Sequence, residues 1–228
     1  MTDQIILAAI LIPCLIVAIV FHEVSHGWSA LLLGDPTAQE ARRLSLNPLR
    51  HVDPVGTVLL PGSMALIGGP VFGWAKPVPV NKWRLNNPRF GMMAVAAAGP
   101  ASNFVMAGIA AVVLGLLARN LDPASVSVPM QWTVTGIDYF ILINIFLAFF
   151  NLLPIPPFDG SHIVEGLLPP SAARAYAKLR PAGMLLLVGV IAVSWFFPEL
   201  GVIENVVWPP VDWLRGIFLS LAEMIAGA

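Results

Sequence analysis

The chain has 228 residues, of which 57% are hydrophobic and 11% charged, with a mean hydropathy of +0.82 and a formal net charge of -1. An ordinary soluble domain is about 45–50% apolar and about 25% charged, so this is the composition of an integral membrane protein whose partners include the lipid bilayer. The small net charge and the lack of any run of five or six like charges exclude nucleic acid as a partner, while a single cysteine, Cys14, excludes an internal disulfide and a thiolate zinc cluster.

In chain order, stretches at about 4–33, 55–72, 90–118, 132–153 and 183–197 are apolar enough to reach across a bilayer. A sixth, 213–227, is a short span or an interfacial helix, because it holds Arg215 and Glu223. The amino-terminal "MTDQ" has no Lys or Arg and no small-residue cleavage site follows it, so a retained first span is expected. The stretch 55–72 carries four glycines and two prolines, a poor continuous helix.

Basic residues decide what 55–72 does, because short cytoplasmic loops collect Lys and Arg. Arg42, Arg43 and Arg50 precede it, and Lys76, Lys82, Arg84 and Arg89 follow it. If 55–72 re-enters and leaves on one side, both loops are cytoplasmic, and with Arg174, Lys178 and Arg180 ten of the twelve basic residues face the cytoplasm. The expected fold is therefore an all-α polytopic membrane protein of about five transmembrane helices plus a re-entrant segment, with an external amino terminus. Irregular backbone at membrane depth is tolerated only when buried or beside a wet cavity, so the re-entrant stretch implies water inside.

Within the first span, "FHEVSHG" at 21–27 interrupts the apolar run before "WSALLLG" resumes it. His22 and His26, four apart on a helix, present two imidazoles on one face, and Glu23 sits where H-E-x-x-H zinc hydrolases place their general base. His26 lies roughly 12 Å before the break at Gly34, so the motif is inside the span, where ionisable groups are functional by default. A catalytic zinc takes three protein ligands and leaves a fourth position open. Asp159, in "FFNLLPIPPFDGSH", is a third-ligand candidate, carried to the same leaflet by a proline-broken turn. His162, three residues on, reads as a neighbour of the metal set. His51 reads as a surface or interface residue of a basic loop, and Glu40 as part of a solvated charge cluster with Arg42 and Arg43.

Asn103, in "AAAGPASNF", Asn144 and Asn151 are polar amides in apolar helices, of the kind that hydrogen-bond between transmembrane helices. In "AKPVPVN", Pro77 and Pro79 remove the donors from one edge of an extended segment, while Val78 and Val80 keep theirs on the other. Such a segment is either one edge strand of a short membrane-associated β-hairpin, able to hold an extended substrate by strand addition at Val78 and Val80, or a proline-rich loop skirting the bilayer.

"HEVSHG", "GPASN" and "NLLPIPPFDG", with the connecting "SLNPLRHVDPVGTVLLP" and "FGWAKPVPVN", resemble the site-2 protease family of intramembrane zinc metalloproteases, in its compact form without PDZ or CBS domains. The resemblance covers roughly residues 20 to 165. It implies one Zn2+ per chain held by His22, His26 and Asp159, Glu23 as catalytic base, and Asn103 facing the zinc to steady the oxyanion. One departure stands out: Phe158, Asp159, Gly160 and Ser161 replace the family's frequent Leu-Asp-Gly-Gly.

The expectation is thus a single membrane metalloprotease domain over 1–228, with a catalytic core at about 4–168 and accessory helices at about 183–227. It would cleave peptide bonds in or near transmembrane segments of protein substrates, in a bacterial or archaeal plasma membrane, with the active site towards the cytoplasm. Two alternatives share the ligands, a zinc transporter or channel and an inactive scaffold. Substrate identity and oligomeric state have no signal in the sequence.

Overall fold

The structure, a computed structural model, describes residues 2–59, 63, 75–121 and 126–227, and among them it is helical with no strand. Three long helices carry the fold: α1 (Thr2–Leu32), α3 (Pro88–Asn120) and α4 (Val128–Leu152). The stretches Ile5–Leu32, Pro88–Asn120 and Val128–Leu152 are long and apolar enough to cross a membrane. Between α1 and α3 lies a short helix α2 (Thr37–Glu40). After α4 come α5 (Asp159–Leu167), α6 (Pro170–Ala177), α7 (Arg180–Phe196) and α8 (Trp208–Ala226).

Local chemistry sets the element ends. Asn87 caps α3 through its side-chain oxygen, which accepts from the amides of Arg89 and Phe90, and Pro88 occupies the first helical position, where a missing N–H costs nothing. Leu153 ends α4 in an extended conformation because Pro154 follows it. The chain then turns and restarts as α5 at Asp159.

The helix α3 is central, in contact with α1, α4, α5 and α8. Its small residues let neighbours approach closely, as membrane packing requires. Ala107, Ala110 and Ala111 of α3, Ile141 and Ile145 of α4, and Val211 and Ala222 of α8 form one buried core. Large side chains such as Ile12, Val105 and Leu185 stay exposed on the outer faces, where lipid rather than water is the natural solvent.

Three sequence expectations meet the structure here. Against the about five spans expected, three helices among the described residues are long and apolar enough to cross a membrane, or four when α6 and α7, bent by 47°, form one broken span. The segment 213–227 is the larger part of α8, which packs on α3 and α4 within the bundle. The re-entrant stretch 55–72 falls largely outside the described residues, and its start, Pro54–Leu59, is π-helical.

The expected β-hairpin is the clearest difference, since residues 75–80 have no regular structure and no strand lies beside them among the described residues. Pro77 and Pro79 have no N–H to give, and the amides of Lys76, Val78 and Asn81 are taken by His51 O, the Glu23 carboxylate and the Asp35 carboxylate. A ladder needs those donors, so the segment is a strap tied to the rest of the protein.

Candidate metal centre

The site forms about two turns inside the adjacent ends of α1 and α3. Four residues of helix bring the His22 and His26 rings edge to face with centroids 4.7 Å apart. Each ring is held at Nδ1. His26 Nδ1–H donates to the Val95 carbonyl at 2.7 Å, and His22 Nδ1–H donates to Asn103 Oδ1 at 2.6 Å. A backbone carbonyl can only accept, so a neutral His26 turns a bare Nε2 into the site. The Asn103 Nδ2 faces Ala18 O at 3.3 Å and Asn144 Oδ1 at 2.8 Å, which leaves its oxygen for His22 and gives that ring the same tautomer.

Asp159 arrives from the first turn of α5. Gly160 permits the approach, because a Cβ there would collide with the carbonyl oxygens of Leu152 and Leu153. Asp159 Oδ2 lies 3.1 Å from His22 Nε2 and 3.3 Å from His26 Nε2, and the two Nε2 atoms are 3.0 Å apart. Three acceptors so placed repel one another unless a cation joins them. Their spacing matches a tetrahedral set at zinc bond lengths of 2.0–2.1 Å, whose donors are about 3.3–3.4 Å apart. Two imidazoles and one carboxylate are also a donor set that zinc favours. Among the described residues, this is the one group of three His, Cys, Asp or Glu able to hold a metal ion.

Gly99 of α3 closes the site from behind. A Cβ there would lie 2.5 Å from His26 Cε1 and Nε2 and 2.7 Å from His22 Cε1, so the rings pack on bare backbone.

Glu23 accepts a hydrogen bond from the Val78 amide at 2.8 Å. The strap that supplies this amide is fixed along its length. Lys76 N–H donates to His51 O at 2.9 Å, Arg43 Nη2 donates to Lys76 O at 2.7 Å, and Asn81 N–H donates to Asp35 Oδ2 at 2.6 Å. Asp35 is fully buried and also accepts from the Thr37 amide at 3.0 Å and from the Thr37 hydroxyl. Burial pushes its carboxyl up, but the Thr37 and Asn81 donors and nearby Arg84 outweigh this and hold it below the usual carboxylate range.

The structure therefore brings His22, His26 and Asp159 together, with Asn103 behind His22 and Glu23 against the strap. The Val78 donor that the sequence offered to a substrate is given to Glu23, and Val80 instead packs on the cluster of Ala30, Leu85 and Val95. His51 is buried rather than superficial, and its Nε2–H donates to Ser45 O at 2.8 Å. Glu40 pairs with Arg84 at 2.6 and 2.7 Å rather than with its neighbours Arg42 and Arg43. His162 faces Glu165 at 3.9 Å, and burial together with Arg180 keeps it below the usual histidine range.

Sequence reasoning passed over Asp35, whose signal was an acid placed directly after the Gly34 helix break in a basic loop. It also passed over the Asp138–Arg215 ion pair between α4 and α8, at 2.7 and 2.8 Å, whose signal was one charge of each sign in an apolar stretch.

Comparison with known proteins identifies the family. Residues 10–193 match the model of Peptidase family M50. The chain is 36% identical over 220 residues to a Bacillus subtilis protein named "Putative zinc metalloprotease YwhC", covering 94% of this chain and 91% of that one. It is 30% identical over 186 residues to Rip2 of Mycolicibacterium smegmatis, which bears the same description, covering 80% of this chain and 68% of the relative. Rip2 of Mycobacterium tuberculosis strain H37Rv is 27% identical over the same share. No solved structure matches. With the family model spanning most of its length and a relative this similar end to end, the chain belongs to peptidase family M50, the site-2 proteases.

Proposed function

We propose that this M50 peptidase is an intramembrane zinc endopeptidase that hydrolyses peptide bonds in or near transmembrane segments of other membrane proteins, with one zinc per chain. The observation that carries the reading is the convergence of His22 Nε2, His26 Nε2 and Asp159 Oδ2 within 3.3 Å of one another, beside a Glu at general-base spacing. Zinc bound there supplies Lewis acidity at the substrate carbonyl and lowers the pKa of water in the site.

The chain's own residues do the rest. Glu23 takes the proton of the attacking water and delivers it to the leaving amine nitrogen as the peptide bond breaks. The Val78 amide holds the Glu23 carboxylate in place between these transfers. Since Nδ2 of Asn103 is engaged by Ala18 O and Asn144, the geometry favours Asn103 as the support of His22 over a donor to the oxyanion. An extended substrate would pass beside the strap near Val78 and Val80 without taking the Val78 amide, which Glu23 holds. The distribution of Lys and Arg supports an orientation with this end of the bundle towards the cytoplasm.

The test is Glu23→Gln in the purified full chain, with zinc content and cleavage of a model transmembrane substrate measured together. Zinc retained at one per chain with cleavage lost is the expected result. Cleavage that persists in Glu23→Gln would overturn the role of the base, and zinc uptake into vesicles that survives the substitution would instead support transport.

A further inference from the structure

The polar atoms behind His22 form a directed chain across three helices. Asn144 Nδ2 on α4 donates to its own Phe140 carbonyl at 2.8 Å. That acceptor cannot reverse roles, so the Asn144 oxygen is fixed as the outward-facing atom. It accepts from Asn103 Nδ2 on α3 at 2.8 Å, and Asn103 Oδ1 then accepts from His22 Nδ1–H on α1 at 2.6 Å. Asn103 and Asn144 are both fully buried, where an amide turned the wrong way would face donor to donor with no water to relieve it.

We propose that Asn144 is a positioning residue of the metal centre. By locking the Asn103 amide it holds His22 in the tautomer whose Nε2 is bare and aimed at Asp159 and His26. This rests on the reading of His22 as a metal ligand. It goes beyond that reading because Asn144 touches neither the metal set nor a substrate. His26 needs no such relay, since a backbone carbonyl already fixes its ring. The asymmetry has a physical reason: His22 meets a side-chain amide, which can present either oxygen or nitrogen, so the acceptors on its nitrogen have to choose between them, and of these Asn144 Oδ1 at 2.8 Å is closer than Ala18 O at 3.3 Å.

The alternative is that Asn103 and Asn144 only glue α3 to α4, as buried amides between membrane helices do. The two roles separate in measurement. Asn144→Leu in the full chain, titrated with zinc against a chelator, is expected to weaken zinc binding about 10-fold or more, as loss of an outer-shell partner typically does. Asn103→Leu should do the same, and the double variant should be no weaker than Asn103→Leu alone, because the relay is already broken. Unchanged zinc affinity in a folded Asn144→Leu, with only its unfolding temperature lowered, would overturn the proposal.

A measurement on the unaltered chain needs no variant to fold. Ring nitrogen NMR of the metal-free protein should show a proton on His22 Nδ1 whether or not Nε2 also takes one, and an Nδ1 without a proton would also overturn it. Failure of the parent reading looks different, because then His22→Ala would leave zinc affinity unchanged whatever Asn144 does.

Discussion

Replacing Gly99 by alanine tests the centre where it is tightest. The new methyl would stand 2.5 Å from His26 Nε2 and Cε1 and 2.7 Å from His22 Cε1, short of an ordinary 3.4 Å contact by about 0.9 Å at the closest atoms. The rings cannot simply retreat, because each is tethered at Nδ1, one to Val95 O and the other to Asn103. Metal sites tolerate displacements of about 0.2 Å in their ligand distances, so a shift several times larger spoils the donor triangle. Zinc affinity should fall at least ~100-fold, about 2.8 kcal/mol. The metal-free fold should lose about 1–3 kcal/mol to overpacking, with no offsetting helix-propensity gain because Pro100 follows and disfavours a Cβ at position 99.

The assay is chelator competition together with thermal unfolding in the presence and absence of zinc, where the zinc-induced rise in Tm should disappear. Gly108→Ala on the same helix is the control, since its Cβ would meet only Phe218, at an ordinary 3.7 Å. It should bind zinc normally and gain up to about 1 kcal/mol of stability. A Gly99→Ala protein with the affinity of the parent would refute the ligand assignment or the packing argument behind it.

Two further outcomes follow from the contacts around the centre. Val78→Pro deletes the amide that holds Glu23 while Val78→Ala keeps it; losing a hydrogen bond to a charged group is worth about 1.5–3 kcal/mol, so Val78→Pro should lower kcat roughly 10- to 100-fold with zinc retained, and equal kcat values in the two variants would count against the contact. Arg215→Met leaves Asp138 unpaired in the apolar bundle and should destabilise the docking of α8 by about 1–3 kcal/mol, read as a lower Tm and faster proteolysis after α7, whereas Asp138→Asn/Arg215→Met should recover most of it.

Much of the centre was legible in the sequence because its chemistry is local. His22, Glu23 and His26 sit within five residues of one helix, and an apolar span makes ionisable groups conspicuous. The prolines before Asp159 announced a turn, because they act through short-range backbone effects. The family text then tied Asp159 to the two histidines.

What the tertiary structure decided are the partners that lie far apart in the chain. Asp35 meets Asn81, Val78 meets Glu23, Arg215 meets Asp138, and Asn144 reaches His22 through Asn103. Periodicity names the face a side chain occupies and not the group across from it, so these pairings are invisible until helices pack. The edge strand failed for the same reason. Its alternating donors were read correctly, but which acceptors would claim them depended on where α1 and the His51 loop came to lie.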